Sequence, residues 1–143
     1  ELLIAKLAKE GKTTAQTDAV LNVLRATNIT APVTVYAGLF STNPANDGAA
    51  GTELTGAGGY ARQAITFGAP VAGTGQARKI SNTNVITYGP ATGVDWAQAV
   101  GFGIYDALTL GNLLYWDVLT TPKTVAVGDS ASYAAAALVV NED

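Results

Sequence analysis

Residues 56–67, GAGGYARQAITF, set three glycines ahead of an arginine. Phosphate sites use these residue types, because glycine lets backbone N–H groups approach an anion and a guanidinium can clamp it. The spacing does not complete the design. Gly56, Gly58 and Gly59 depart from G-x-G-x-x-G, whose last place falls on Ala61, and the alternation that follows is that of a strand. No helix N-terminus is therefore offered to an anion. The block reads as a bend with positive φ angles leading into a strand. Arg62 then lies mid-strand, placed to pair with a carboxylate or to reach a partner chain. Glu10-Gly11-Lys12-Thr13 fails as a phosphate loop, since Lys6 stands where the first glycine of the signature belongs. Asp106 and Asp117, at the end of one strand and within the next, are the pair to weigh as hydrolytic carboxylates. Solvated strand-end acids are the reading favoured over a carboxylate hydrolase. Asn43, Asn46, Asp47 and Glu53 share a loop without the alternating spacing of a calcium site.

Composition narrows the chemistry further. The 143 residues contain no cysteine and no histidine, which removes disulfides, thiolate ligands, the commonest general base and the commonest transition-metal ligand. Net charge is −3, and the eight basic residues form no stripe, Arg78–Lys79 being the closest pair; nucleic-acid binding is not expected. Charged residues make up 13%, about half the ~25% usual for a soluble domain. Interface cores are depleted in charge, so part of the surface is expected to be covered by partner chains. No apolar run is long enough for a membrane span, and ELLIAKLAKEGK interleaves lysines with its apolar residues, unlike a signal peptide. Neither enzymatic activity nor any catalytic, cofactor-binding or metal residue is expected, and no cofactor.

The elements that would position these residues divide the chain near residue 30. Leu2, Leu3, Ile4 and Leu7 suggest a short helical face. Val20, Leu21, Val23 and Leu24 suggest a second, capped by Thr17 or Asp18. From Pro32 onward the period becomes two. PVTVYAGLF, YARQAITF, NVITYGP, AVGFGIYD, LLYWDVL and SYAAAALVV read as short strands with turn signals between them. In AVGFGIYD, Gly101 and Gly103 share one face, where something must pack closely. The expectation is an all-β fold, a jelly-roll-like β-sandwich of seven to eight short antiparallel strands over 31–143, with an N-terminal helical arm over 1–30. Trp116 alternates with Leu114 and Val118 and reads as core; Trp96, in a loop-like stretch, reads as the interface candidate.

In this order the segments resemble a family of small tailed-phage and prophage virion proteins, labelled tail fibre or head decoration (capsid cement) proteins. The resemblance runs from about residue 17 to residue 140. G-T-E…G-G-Y-A-R-Q and G-N-L-L-Y-W…L-T-T-P-K-T-V…G-D are its most specific pieces. Family members commonly carry Trp-Gly where this chain has Trp96-Ala97. The resemblance implies a structural virion protein without a catalytic motif. The reading favoured is a decoration protein on the capsid surface, assembled in the bacterial cytoplasm, with a tail fibre or host-glycan-binding module as the alternative. Its implied partners are the major capsid protein and copies of itself, as dimer or trimer, with no nucleic acid, membrane or small-molecule substrate. The interface residues expected are Leu3, Ile4, Leu7, Arg62 and Trp96.

Overall fold

The computed structural model describes residues Ala5–Lys6, 11–75 and 77–142. The chain is an all-β sandwich with one short helix among the described residues. Its elements in order are β1 (Ala5–Lys6), α1 (Thr14–Leu24), β2 (Val35–Thr42), β3 (Thr52–Glu53), β4 (Gln63–Ile65), β5 (Val71–Ala72), β6 (Arg78–Ser81), β7 (Ile86–Tyr88), β8 (Ala99–Tyr105), β9 (Leu113–Lys123), β10 (Ala131–Tyr133) and β11 (Leu138–Glu142). More strands appear than the periodicity predicts, because β1, β3 and β5 are two-residue pairings too short to leave an alternation in sequence.

The hydrogen-bonded path runs β3-β2-β8-β9-β1-β11-β6-β5, with β4 also on β2, while β7 and β10 pair separately. The central hairpin β8–β9 pairs Phe102 with Asp117 and Gly103 with Trp116, and its register shifts between Ala99 and Gly101. On its other edge the eleven-residue β9 pairs with β1, Leu119 with Ala5. β1 runs parallel to β11 on its other side. A helix was expected at this point. The Ala5–Lys6 strand instead fills the slot between β9 and β11, whose edges would otherwise carry unpaired N–H and C=O groups. Leu3, Ile4 and Leu7 lie outside the described residues.

The helix begins earlier than its local sequence suggests. Its N-cap is Thr13, not Thr17 or Asp18. The Thr13 amide donates to the Leu114 carbonyl at 3.0 Å and its hydroxyl to that of Leu113 at 2.7 Å. The same hydroxyl accepts from the Gln16 amide at 3.4 Å. Tertiary bonds to β9 fix Thr13 in an extended conformation, and the first free turn follows from there.

The core draws on all three groups of strands: Leu39, Phe102 and Ile104 from β2 and β8, Leu138 and Val140 from β11, and Ile86, Tyr88 and Tyr133 from the β7–β10 pair. Asn82 is buried among them with its amide fully used. Its Nδ2 donates to the carbonyls of Asn84 and Ala134, and its Oδ1 accepts from Leu138. This side chain pins the connection before β11 to the β6–β7 turn, as a buried amide must be satisfied to be tolerated.

On the opposite face of β2 and β8 the expected close packing is present. A Cβ on Gly103 would lie 2.6 Å from Leu113 Cδ1 and 2.7 Å from Phe40 Cε2. One on Gly101 would meet Asn43 Oδ1, and one on Gly38 would stand 2.6 Å from Glu53 Oε1. The three glycines let these side chains lie flat on the sheet. Replacing Gly103 with Ala is expected to displace the Phe40 ring and cost about 1–3 kcal/mol, measured by urea unfolding.

Candidate functional site

The glycine block forms an internal clasp. Ala57–Gly59 make a single tight turn in which Gly58 and Gly59 take φ of 69° and 79°. Gly58 also leaves room for Trp96, since a Cβ there would stand 2.9 Å from the indole Nε1 and 2.8 Å from the Val94 carbonyl oxygen. The Gly58 carbonyl accepts from Trp96 Nε1 at 2.8 Å and from the Thr92 amide at 2.9 Å. Trp96 meets the Tyr60 ring edge-on at 5.5 Å and is 4% exposed. The sequence reading placed Trp96 at an interface, but the structure places it in the core. Its N–H finds an acceptor only there, and positive-φ glycine makes the space. Trp116 pairs with Gly103 across the β8–β9 hairpin and is half-buried, so of the two tryptophans it is Trp96 that lies in the core.

Arg62 anchors the other side of the block. Its Nε and Nη2 engage the Glu53 carboxylate at 2.9 and 2.7 Å, and its Nη1 donates to the carbonyls of Ala107 and Leu110 at 2.8 and 2.7 Å. Its Cζ stands 3.3 Å from the Tyr105 ring centroid. Glu53 also accepts from the Tyr60 hydroxyl at 2.9 Å, which in turn accepts from the Leu39 amide at 2.8 Å. With four of its five donors engaged inside the fold, Arg62 has no free fork for an anion. It ties β3, the residues just before β4 and the β8–β9 loop together, and it is half-buried and paired rather than presented outward. Burial, and after it the Glu53 carboxylate, hold the Tyr60 and Tyr105 hydroxyls well above the ordinary tyrosine range; both stay protonated as donors.

The acids do not make a hydrolytic pair. Asp117 lies opposite Phe102, four residues from Asp106, a separation of roughly 13 Å along the strand. Two-carboxylate glycoside hydrolysis needs about 5–9.5 Å. Asp106 is engaged in its own loop, where Oδ1 accepts from the Asn112 amide at 2.7 Å and Oδ2 from Asn112 Nδ2 at 2.8 Å. Among the described residues no group of three His, Cys, Asp or Glu side chains converges on a point.

A different region has the character of a binding surface. A groove of about 970 Å³ separates α1 and the loop after it from the sheet, with Ala15, Ala19 and Asn22 on the helix side and Ile80, Ile104 and Val140 beneath. The helix turns its small and polar residues toward this groove. Val20, Leu21 and Val23 stand about half exposed and Leu24 is 85% exposed, followed by exposed Ile29 and Val33. No residue of α1 is buried. The helix is fastened at its start, where Thr13 bonds to β9 and the Thr14 amide to the Asn46 carbonyl at 2.8 Å. At its end the amides of Arg25, Ala26 and Thr27 return to Asn22 and Val23 of the same helix. The sequence marked these apolar residues as helical, and only the fold shows that they point away from the sheet.

Fold and site together define a β-sandwich module whose glycine block is architectural and whose unsatisfied apolar surface is a helix. The chain belongs to the family described as podophage GP4 fiber I protein gp80, whose model matches residues 11–141. It is therefore a phage virion protein of the fibre type. No curated protein matches the chain.

Proposed function

We propose that the chain is a non-catalytic building block of a phage appendage, acting by holding other virion proteins. The observation that carries this reading is the fibre-family match across nearly the whole chain, joined to a clasp whose arginine, glutamate and tyrosines bond to one another. The outward apolar face of α1 supplies a surface for protein contact. A second reading, decoration of the head exterior, is favoured by one feature: the matched region is a compact sandwich without the fixed-period repeats of a fibre shaft. Gold-labelled antibody on intact particles tests the choice. Label at the tail appendages is the expected outcome. Label distributed over the head would overturn the appendage assignment in favour of decoration.

A further inference from the structure

A helix that covers a sheet normally packs its apolar stripe into the space between them. α1 turns Ala15 and Ala19 toward the sheet instead, and the small side chains leave the groove of about 970 Å³. That volume is at the upper end of the roughly 300–1,000 Å³ usual for a small-molecule site. Val35, Phe67, Ile80 and Tyr115 pack against the core yet are only partly buried, because the groove lies over them. Protein interiors are otherwise close-packed, so a cleft of this size bounded by core side chains is a built feature of the fold.

The polar groups of the lining indicate the class of molecule that fits. Most are already bonded to one another. Asp106 takes the backbone amide and the Nδ2 of Asn112 at 2.7 and 2.8 Å. Glu142 accepts from Lys12 Nζ at 2.6 Å and from the Tyr115 hydroxyl. Asn22 Oδ1 takes Arg25 Nη1 at 3.1 Å. The strands beneath are paired on both sides, β9 with β8 and β1, and β11 with β6 and β1, so the floor offers no open edge to a peptide strand. Sugar hydroxyls or peptide amides entering the groove would lose water and find few replacements, which costs free energy for each group left unpaired. An alkyl chain carries no such groups.

One flank of the groove differs in charge. Arg78 and Lys79, both exposed on β6, line it there. Arg78 gives a single bond, Nη2 to the Pro70 carbonyl at 2.7 Å, and among the described residues neither cation forms an ion pair. In the strand order β6 stands on one side of β11 and β8 beyond β9 on the other, so the two cations sit away from Asp106.

We propose that the groove binds a single aliphatic chain with an anionic head, an amphiphile of the fatty-acid class. Its chain lies beneath α1 over Ile80, Val140 and Ile104, and its carboxylate is held by Arg78 and Lys79. The molecule enters singly, since a cleft between a helix and a sheet admits one chain and not a bilayer surface. The site is distinct from the outward face of α1 and serves the chain equally on the tail or on the head.

Isothermal titration of the purified full chain with sodium laurate, kept below its micellar range, tests the site apart from any location in the virion. The expected result is a one-to-one complex with a Kd of about 10–100 µM and unchanged β-sheet circular dichroism. Dodecylammonium, a chain of the same length with the opposite charge, is expected to bind about tenfold more weakly. Arg78→Glu with Lys79→Glu is expected to invert that preference, with little change in thermal midpoint because both side chains are exposed. Ala19→Trp fills the groove from the helix side and is expected to weaken laurate about tenfold or more. The fold tolerates it, as no residue of α1 is buried. Leu24→Glu, on the outward face, leaves laurate binding unchanged. Vesicles of phosphatidylglycerol are expected to sediment without the protein. Absence of saturable laurate binding, equal affinity for the two amphiphiles, or binding indifferent to Ala19→Trp would each overturn the proposal. So would many-site binding with loss of circular dichroism, or vesicle binding in place of laurate binding, which would make a lipid surface the ligand.

Discussion

Raising the pH above about 10 is expected to unfold the domain in one cooperative step, with tyrosinate absorbance and loss of β-sheet circular dichroism appearing together. Tyr60, Tyr88, Tyr105 and Tyr133 are buried, and burial is the leading cause that raises the pKa of each above the ordinary value. Tyr115 is raised as well, first by burial and then by its hydrogen bond to Glu142. A tyrosine with a raised folded-state pKa contributes its full stability below the unfolded value of about 10. It loses that contribution as the pH climbs toward the folded value, because the unfolded chain sheds the proton first. Each buried tyrosine then gives up about 1.4 kcal/mol per pH unit. The four buried ones together lose at most about 5.6 kcal/mol per unit, with Tyr88 and Tyr133, the two fully enclosed, contributing in full, against a total stability of about 5–15 kcal/mol for an ordinary domain. The transition therefore falls within about one to three units above pH 10. Tyr133→Phe, which deletes a buried hydroxyl with no hydrogen-bond partner among the described residues, is expected to shift it upward. Gradual tyrosinate absorbance around pH 10 with the fold intact would show that the rings are accessible.

What could be read from the chain beforehand depends on how local its cause is. β8 was legible because Val100, Phe102 and Ile104 alternate with Gly101 and Gly103 over a full strand, and the glycines announced the side chains that lie on them. The turn at Gly58–Gly59 was legible because positive φ selects glycine. The partners at this block were not. Glu53 and Arg62 are nine residues apart, and Gly58 and Trp96 are thirty-eight apart, and no period in the sequence joins them. Trp96 escaped for the same reason: a loop position reads as exposed until the turn that receives it is placed. The N-terminal strand was masked by an apolar pattern compatible with a helix, and two residues pair as a strand only because β9 and β11 leave a slot. α1 was found by its spacing, but periodicity gives a stripe without saying which way the stripe looks.

The Arg62–Glu53 pair predicts the largest loss from a single side chain. Arg62→Ala is expected to lower stability by about 3 kcal/mol, the low end of the range for breaking a buried pair because this one is partly exposed, and to lower the thermal midpoint by roughly 10 °C for a domain of this size. The loss has named components. The Glu53 carboxylate, 22% exposed at its side chain, keeps the Tyr60 hydroxyl as a donor but loses its bidentate cation. The carbonyls of Ala107 and Leu110 lose the donor that fixes the loop carrying Leu110, whose φ of 56° is held in the left-handed region. Tyr105 loses the guanidinium stacked on its ring. Arg62→Lys is expected to recover only a minor part, since an ammonium cannot hold both carboxylate oxygens and two diverging carbonyls from one position above the ring. A double-mutant cycle with Glu53→Gln separates the ion pair from the loop bonds. Glu53→Gln alone leaves Arg62 on its carbonyls and costs less than Arg62→Ala, and the cycle should show coupling of about 1–3 kcal/mol. Coupling near zero would mean that Arg62 works through the loop carbonyls and ring alone. An Arg62→Ala domain as stable as the parent would mean that the conspicuous arginine of the glycine block is free for a partner after all.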